Sequence, residues 1–458
     1  MDTREQKRKS KMSEGAGDCQ SKAAKLEFLR YASLNVLGML GLSFYIFADT
    51  FFIARGMGAE GLAALNLVLP VYGCIYGIGM MIAIGGGTRY SILKSQKKDK
   101  NADEVFTHAV FLTLLISLVF VGVGLWGSGK VTGLLGATGK VFDTSRIYLQ
   151  VILFFAPMFM LNSVLTTFAK NDGFPRIAMA AMLTGSISNV ILDYLFIFPC
   201  KLGMFGAALA TGIAPVLGIG IVTIRLFLPK KQNFHLTALH LKKELIGSIA
   251  AGGFPTFVAE LSSGMVILVL NGIVLRLQGD LGVAAYGIIA NLSLIMLSVF
   301  NGIAQGAQPV FSRNYGQGKT KQVKGVLSLG CKVAGGIAAL GYLGICLYAK
   351  EITAAFNKDG NVQLQQMAEE GLRLYFLASA FAGTNILLSM YYTATEQVRP
   401  AHVISLLRGF ILIIPMAFLL AAAGGMRGVW LAFPVTEILV TAGGSWWYRR
   451  SRQPVKCM

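Results

Sequence analysis

Hydrophobic residues fill most of this chain in long unbroken runs. Runs of roughly 20 apolar residues are long enough to cross a membrane as helices, and the alternating pattern of a lipid-facing β-barrel is absent. The sequence therefore predicts an all-α polytopic membrane protein with twelve transmembrane helices. They are expected near residues 32–54, 62–86, 105–126, 147–168, 176–199, 204–227, 246–273, 283–309, 326–348, 370–393, 401–422 and 427–447.

The second half of the chain repeats the first. A shift of 221 residues places GLAA at 61 on GVAA at 282, and IAIG at 82 on IAQG at 303. Six spans repeated in the same orientation predict two pseudo-symmetric six-helix lobes with a cleft between them. The expected parts are a disordered cytoplasmic tail over 1–28, an N-lobe over 29–228, a basic cytoplasmic linker over 229–244, a C-lobe over 245–448 and a cytoplasmic tail over 449–458.

The net charge is +19, but the basic residues are distributed as the predicted membrane topology requires. This distribution argues against nucleic-acid binding. Only 14% of the residues are charged, whereas a soluble protein has about 25%. Basic residues concentrate at both ends and in the alternate loops 87–104, 228–243 and 310–325. Because cytoplasmic loops carry the excess of Lys and Arg, both termini are expected in the cytoplasm of a multi-pass cell-membrane protein.

Carboxylates interrupt the hydrophobic spans at Asp49, Asp193 and Glu260. Acids within spans are costly and usually mark an ion or substrate path. Asp49 and Asp193 fall at similar depths, with Asn189 one helical turn before Asp193 and Thr211 on the next span. Hard oxygen donors suit a small cation, and two close buried acids also favour uptake of a proton. The alternative is a hydrogen-bonded cluster that only holds helices together.

Glu260, midway along the seventh span, is open to two interpretations. It is either the counter-charge for a cationic substrate or a second coupling site. A third, structural possibility is that it pairs with a neighbouring helix. Arg408 and Glu437 also fall within spans, and we expect them to pair with each other.

Several motifs carry a resemblance to a known family. FADTFFIARGMGAEGLAALNLVLPVYG, NDGFPRIAMAAMLTGSISNVILDYLFIF, GFPTFVAELSSG and GIAQGAQPVFSRNYGQGK occur in order. Together they resemble the multidrug and toxin extrusion (MATE) transporters of bacteria, over essentially residues 30–450. The resemblance implies twelve helices in two lobes and antiport of organic compounds against H⁺ or Na⁺. It also implies an N-lobe cation site at Asp49, Asn189, Asp193 and Thr211, with Ala207 as a backbone ligand, and a C-lobe acid at Glu260.

The chain departs from some relatives at two places. FAGTNILLS offers Thr384 and Asn385 where those relatives have an acid on the tenth helix, which argues against a two-acid C-lobe site. YASLNVLGML lacks their first-helix proline, so a bend there would have to use Gly38 or Gly41.

The function predicted is secondary antiport that exports organic, often cationic, compounds or drugs by alternating access of two lobes. The coupling ion is H⁺ or Na⁺, with Na⁺ held at Asp49 and Asp193, and no cofactor is expected. The partners are small-molecule drugs and the lipid bilayer, and a monomer is expected. The alternatives are a lipid-linked oligosaccharide flippase of the same superfamily and a non-transporting receptor. Enzyme activity is not expected, because no nucleophile–base pair or metal-ligand spacing occurs.

Overall fold

A computed structural model of the chain describes residues 2–226, 234–357 and 360–450. Regular structure in these ranges is helical throughout. The helices are α1 (Asp2–Ser95), α2 (Asp99–Gly122), α3 (Ser128–Leu134), α4 (Gly139–Phe154), α5 (Ala156–Asn171), α6 (Pro175–Ile197), α7 (Gly203–Leu226), α8 (Lys243–Gly316), α9 (Thr320–Phe356), α10 (Val362–Tyr375), α11 (Ser379–Ala394), α12 (Val398–Leu406) and α13 (Ile413–Arg450). Short π-helical turns (Val123–Gly127, Leu407–Ile411) follow α2 and α12, and a 3₁₀ turn (Phe376–Ala378) links α10 to α11.

Three glycines divide long helices into pairs of spans. α1 breaks at Gly58 (φ 64°, ψ −150°), α8 at Gly279 (φ 62°, ψ −151°) and α13 at Gly425 (φ 55°, ψ −133°). A residue with a Cβ rarely adopts these angles, so glycine is needed at each break. Gly58 and Gly279 are separated by the same 221 residues as the sequence repeat.

Counting each broken helix as two spans gives the number of spans that the sequence predicts. Eight of the described helical stretches are long and apolar enough to cross a membrane, and α4 with α5, bent by 45°, makes a ninth. Dividing α1, α8 and α13 at their glycines gives the twelve spans that the sequence predicts. The two-lobe, twelve-helix prediction is confirmed in this arrangement, with α1–α7 in the N-lobe and α8–α13 in the C-lobe.

The start of α1 differs from expectation. The sequence predicts a disordered tail over 1–28, whereas the helix begins at Asp2. Ala24 and Phe28 are buried among C-lobe side chains, which accounts for helix at the end of that segment. α1 also continues unbroken through Gly38 and Gly41, which pack against Met182 and Leu183 of α6.

Outward-facing side chains of the lobes are largely aliphatic. Leu118, Ile224, Leu340 and Leu347 are each more than 60% exposed on their helices. Exposed leucines spread over spans of this length fit contact with lipid, where the helical backbone satisfies its own hydrogen bonds. The interior of the N-lobe is a separate apolar core around Phe168.

The lobes meet at the end of the molecule that carries the start of α1, the end of α13 and the turns at 95–99 and 316–320, here named the terminal face. α1 and α8 form the most extensive helix pair there. The backbones approach so closely that a Cβ on Gly253 would lie 1.8 Å from the Met81 carbonyl oxygen. Glycine is therefore required for this crossing, which resembles small-residue packing in membranes.

A buried polar group crosses the same contact. The Gln308 amide on α8 donates to Thr88 Oγ1 (3.0 Å) on α1 and accepts from Asn171 Nδ2 (3.0 Å) on α5. Nearer the surface, Arg89 pairs with Glu396 at 2.7 Å. A further ion pair between the lobes joins Arg313 to Glu27. The terminal face is thus closed by backbone contact, a satisfied buried amide and ion pairs.

Replacing Gly253 with Ala is expected to force the lobes apart at the terminal face. The new Cβ would overlap the Met81 carbonyl, and overpacking of this kind typically lowers the free energy of unfolding by about 1–3 kcal/mol. Spin labels at Lys98 and Gln317, one on each lobe, would report a longer inter-lobe distance. Gly252→Ala is the matched control, because its Cβ would meet only Gly85 Cα at 3.5 Å. Identical distances and stabilities in the two variants would contradict this account of the lobe contact.

Candidate cation-binding site

Asp49 and Asp193 come together inside the N-lobe. Asp49 lies in the first span of α1 and is 6% exposed, and Asp193 on α6 is fully buried. Their carboxyl groups are close enough to interact with each other directly. Two carboxylates at this separation cannot both stay charged in an apolar interior without a cation between or beside them. The predicted convergence of the two acids is therefore present in the structure.

Asn189 joins Asp193 to α7. In the amide orientation that satisfies both of its polar atoms, Asn189 donates to Asp193 Oδ2 (3.0 Å) and accepts from the Thr211 N–H (3.3 Å). The Thr211 hydroxyl in turn donates to the Ala207 carbonyl oxygen at 3.1 Å. All five residues predicted from the sequence for the N-lobe site are thus in one neighbourhood.

Two oxygens in this neighbourhood lack a hydrogen-bond partner. Among the side chains that the structure describes, Asp49 Oδ1 and Asp193 Oδ1 are buried without one. An unsatisfied buried carboxylate oxygen is costly, so binding of a positive group there lowers the free energy of the folded protein. Carboxylate, amide, hydroxyl and carbonyl oxygens are the donor set for a small hard cation, and either acid can take up a proton instead. The residues therefore fit both predicted coupling ions.

Tyr148 is a member of this site that sequence reasoning missed. It lies on α4, is 4% exposed, and is close enough to interact with Thr211 and the two aspartates. A lone tyrosine in an apolar span is indistinguishable from a packing residue in one sequence. Only the bundling of α4 with α1, α6 and α7 reveals it.

Glu260 does not join this cluster. It lies on α8 at the interface between the lobes, within electrostatic range of Tyr72 and Tyr76 of α1. Gly77 of α1 lies close to Glu260, because a Cβ added to this glycine would be 3.4 Å from Glu260 Cβ. Glu260 is thus a separate acid on the C-lobe side of the cleft.

Asn385 and Thr384 do not form a second site with Glu260. Asn385 donates to Glu437 Oε2 at 2.6 Å, and Thr384 donates to the Ala380 carbonyl of its own helix. The prediction that Arg408 pairs with Glu437 is confirmed, at 2.8 Å and 3.1 Å to Glu437 Oε1. In the part of the chain that the structure describes, Thr384 and Asn385 thus bind partners other than Glu260.

The described residues contain no group of three or more His, Cys, Asp or Glu side chains arranged to hold a metal ion. Asp49 and Asp193 are only two such side chains and fall outside this description.

A protein-family model covers both lobes. The model described as MatE matches residues 36–195 and 255–419, which include both aspartates and Glu260. The chain belongs to the MatE family. The resemblance to MATE transporters that the motifs carry is therefore confirmed.

Relatives of this MatE protein carry the name of a multidrug exporter. "Multidrug export protein MepA" of Staphylococcus saprophyticus is 26% identical over 406 residues, covering 88% of this chain and 89% of that protein. MepA of Staphylococcus aureus strain MRSA252 is 27% identical over 409 residues, with the same coverage of 88% and 89%.

Solved structures share the MatE fold. An outward-facing multidrug resistance MATE family transporter superposes with a TM-score of 0.88 at 22% identity, covering 93% of this chain and 95% of that one. A MOP superfamily transporter from Pyrococcus furiosus superposes with a TM-score of 0.87 at 21% identity, with the same coverage. These likenesses show the twelve-helix, two-lobe fold; the roles of Asp49, Asp193 and Glu260 stay predictions.

Proposed function

We propose that this MatE protein is a secondary antiporter that exports organic cations and other drugs in exchange for H⁺ or Na⁺. The observation that carries the proposal is the Asp49–Asp193 contact with its two unpartnered oxygens. A buried acid pair of this kind can alternate between a cation-bound and a cation-free state. The names of the staphylococcal relatives support drugs as the cargo.

Coupling follows from competition for negative charge. An acid pair that has bound H⁺ or Na⁺ attracts a positively charged drug less strongly, so coupling ion and drug favour opposite states of the protein. The coupling ion enters from the side that faces away from the terminal face and neutralises the acids. Substrate is then released to that side, and the lobes rock to load the next molecule.

The lobe contacts support the alternating-access part of the proposal. The terminal face is closed by the Gly253–Met81 crossing and by Gln308, and opening the opposite side requires these contacts to break and re-form once per cycle. A transporter needs two such arrangements of comparable free energy. The basic residues at this end favour a cytoplasmic position for the terminal face in the cell membrane.

The proposal includes a monomer that works without a cofactor, with lipid and small molecules as its partners and no nucleic acid. The flippase alternative requires free cationic side chains in the cleft. Arg408 does not supply one, because its guanidinium group already donates two hydrogen bonds to Glu437. The pairing of Arg408 therefore favours the drug antiporter over the flippase.

The test is efflux of a fluorescent organic cation from proteoliposomes. A pH gradient without Na⁺, and a Na⁺ gradient at equal pH, are imposed in separate experiments. Acceleration of efflux by one gradient over the no-gradient rate would support antiport and identify the ion. Efflux that neither gradient accelerates, from correctly folded protein, would refute it.

A further inference from the structure

A lysine lies buried close to the contact between the lobes. Lys170, near the C-terminal end of α5, is 3% exposed. Its Nζ donates to Asn35 Oδ1 on α1 at 3.2 Å, and among the described residues it has no other hydrogen-bond partner. Asn35 is 4% exposed, and its amide donates to the Tyr31 carbonyl oxygen. The amino group of Lys170 is therefore held by a single neutral acceptor.

No carboxylate compensates Lys170 in the part of the chain that the structure describes. Asp172, two residues further along, accepts a hydrogen bond from the Tyr90 hydroxyl at 2.8 Å. No ionisable side chain on α8 or on the helices packed against α5, which are α1, α2, α6 and α7, acts on Lys170 electrostatically. Lysine is almost never fully buried unless it is paired, because burying an uncompensated charge is costly. The burial of Lys170 therefore opposes the conformation in which it occurs.

Helix α8 of the C-lobe covers this part of the N-lobe. Val36, next to Asn35 on α1, packs against α8, because a Cβ on Gly302 would lie 2.7 Å from Val36 Cα. On α5, the residue after Lys170 donates to Gln308 of α8 at 3.0 Å. These are contacts that must break when the terminal face opens. Opening therefore admits water to the region around Lys170.

Closure of the terminal face must change the state of Lys170 in one of two ways. It either buries the positive charge or releases the proton to the water on that side, and both cost free energy. Opening removes the cost, because the hydrated amine keeps its proton at neutral pH. Since the open state then binds more protons at this residue, low pH favours opening and high pH favours closure.

We propose that Lys170 is a proton-linked gate residue, whose burial opposes closure of the terminal face and whose loss of a proton permits it. This inference rests on the alternating-access part of the proposed function and deepens it. The Gly253–Met81 crossing and Gln308 favour the closed face, and Lys170 offsets them. The gate also makes opening respond to the pH on the terminal side, separately from the acid pair of the N-lobe.

Distances between the lobes, measured by pulsed EPR without gradient or cargo, test the gate. Spin labels at Lys98 and Gln317 of a cysteine-free protein distinguish closed from open molecules between about pH 6 and pH 10. In the wild type, the closed-to-open ratio should rise with pH, by up to about tenfold per pH unit for one linked proton. Lys170→Met removes the charge and should raise the ratio by about tenfold or more near neutral pH.

Lys170→Arg is the opposite test, because a guanidinium group keeps its proton across this range. It should favour the open conformation and, like Lys170→Met, lack the pH dependence that Lys170 contributes. The acid pair is unchanged in all of these proteins, so the differences among them isolate Lys170. Lys321→Met is the matched control, because Lys321 is exposed near the start of α9 and its loss should leave the ratio as in wild type.

Gradient-driven efflux separates this inference from the proposed function. Lys170→Met should slow efflux, because its terminal face seldom opens. Size-exclusion profiles identify a variant that fails to fold, and the other Lys170 variant then decides the case. Wild-type distances and pH dependence in both Lys170 variants, with wild-type efflux driven by a gradient, would overturn the gate and leave the antiporter standing. The expected shifts in a protein whose efflux neither gradient accelerates would support the gate and refute the antiporter.

Discussion

Asp193→Asn is expected to reduce gradient-driven export to the level of empty vesicles while the protein stays folded. Asparagine keeps the shape of the side chain and its contact with Asn189, but it cannot take up a proton or balance the charge of Na⁺. The conformational cycle then loses the charge change that couples it to the gradient. Asp49→Asn should give the same result, because the two carboxyl groups act as one site.

The variants should still fold, because replacing a buried carboxylate with an amide removes the desolvation cost of a charge. Thermal unfolding in detergent is therefore the necessary companion measurement. Asp143→Asn provides the matched control, because Asp143 is exposed on α4, outside the site. Export at the wild-type rate by both Asp49→Asn and Asp193→Asn would rule out this pair as the coupling site.

The sequence was sufficient to predict the N-lobe acid cluster because helix geometry alone relates its members. Span direction gives the depth of Asp49 and Asp193, and the spacing of one turn puts Asn189 on the same face as Asp193. The same holds for the span count: the breaks at Gly58 and Gly279 fall in the gaps between predicted spans. Hydrophobic length and side-chain periodicity are local properties, so one chain reveals them.

Contacts between spans could not be predicted in this way. Tyr148 looks like any buried aromatic residue until α4 is packed beside α7, and Gln308 looks like an isolated polar residue until Thr88 and Asn171 surround it. The sequence likewise offers no partner for Asn385, which donates to Glu437. These partners depend on the rotation of each helix and on the way the lobes meet. Neither can be derived from a single sequence.

The two lobes use their acids differently. In the N-lobe, Asp49 and Asp193 have no ion pair with a basic side chain among the described residues, and each keeps an oxygen without a hydrogen-bond partner. In the C-lobe, Arg408 supplies a permanent cation to Glu437. The repeat thus yields one lobe whose buried acids lack a permanent counter-charge and one whose most buried acid, Glu437, already has one. This asymmetry supports coupling through the N-lobe.

Breaking the C-lobe ion pair should produce the largest stability loss in the molecule. Glu437 is 1% exposed, accepts two hydrogen bonds from Arg408, and also accepts from Asn385. Glu437→Leu leaves Arg408, itself only 15% exposed, as an uncompensated buried charge. Removing one partner of a buried pair typically costs about 3–5 kcal/mol in the free energy of unfolding.

The double variant Glu437→Leu/Arg408→Met should recover most of that loss, because no charge is then left buried without a partner. Unfolding of the purified protein in detergent, followed by heat or denaturant, measures all three variants. The exposed pair Arg427–Glu370 is the matched control: its side chains are 75% and 41% exposed, and Glu370→Leu should change stability by less than about 1 kcal/mol. If the double variant were as unstable as Glu437→Leu alone, the loss would come from packing around Asn385 and Thr441 and not from the stranded charge of Arg408.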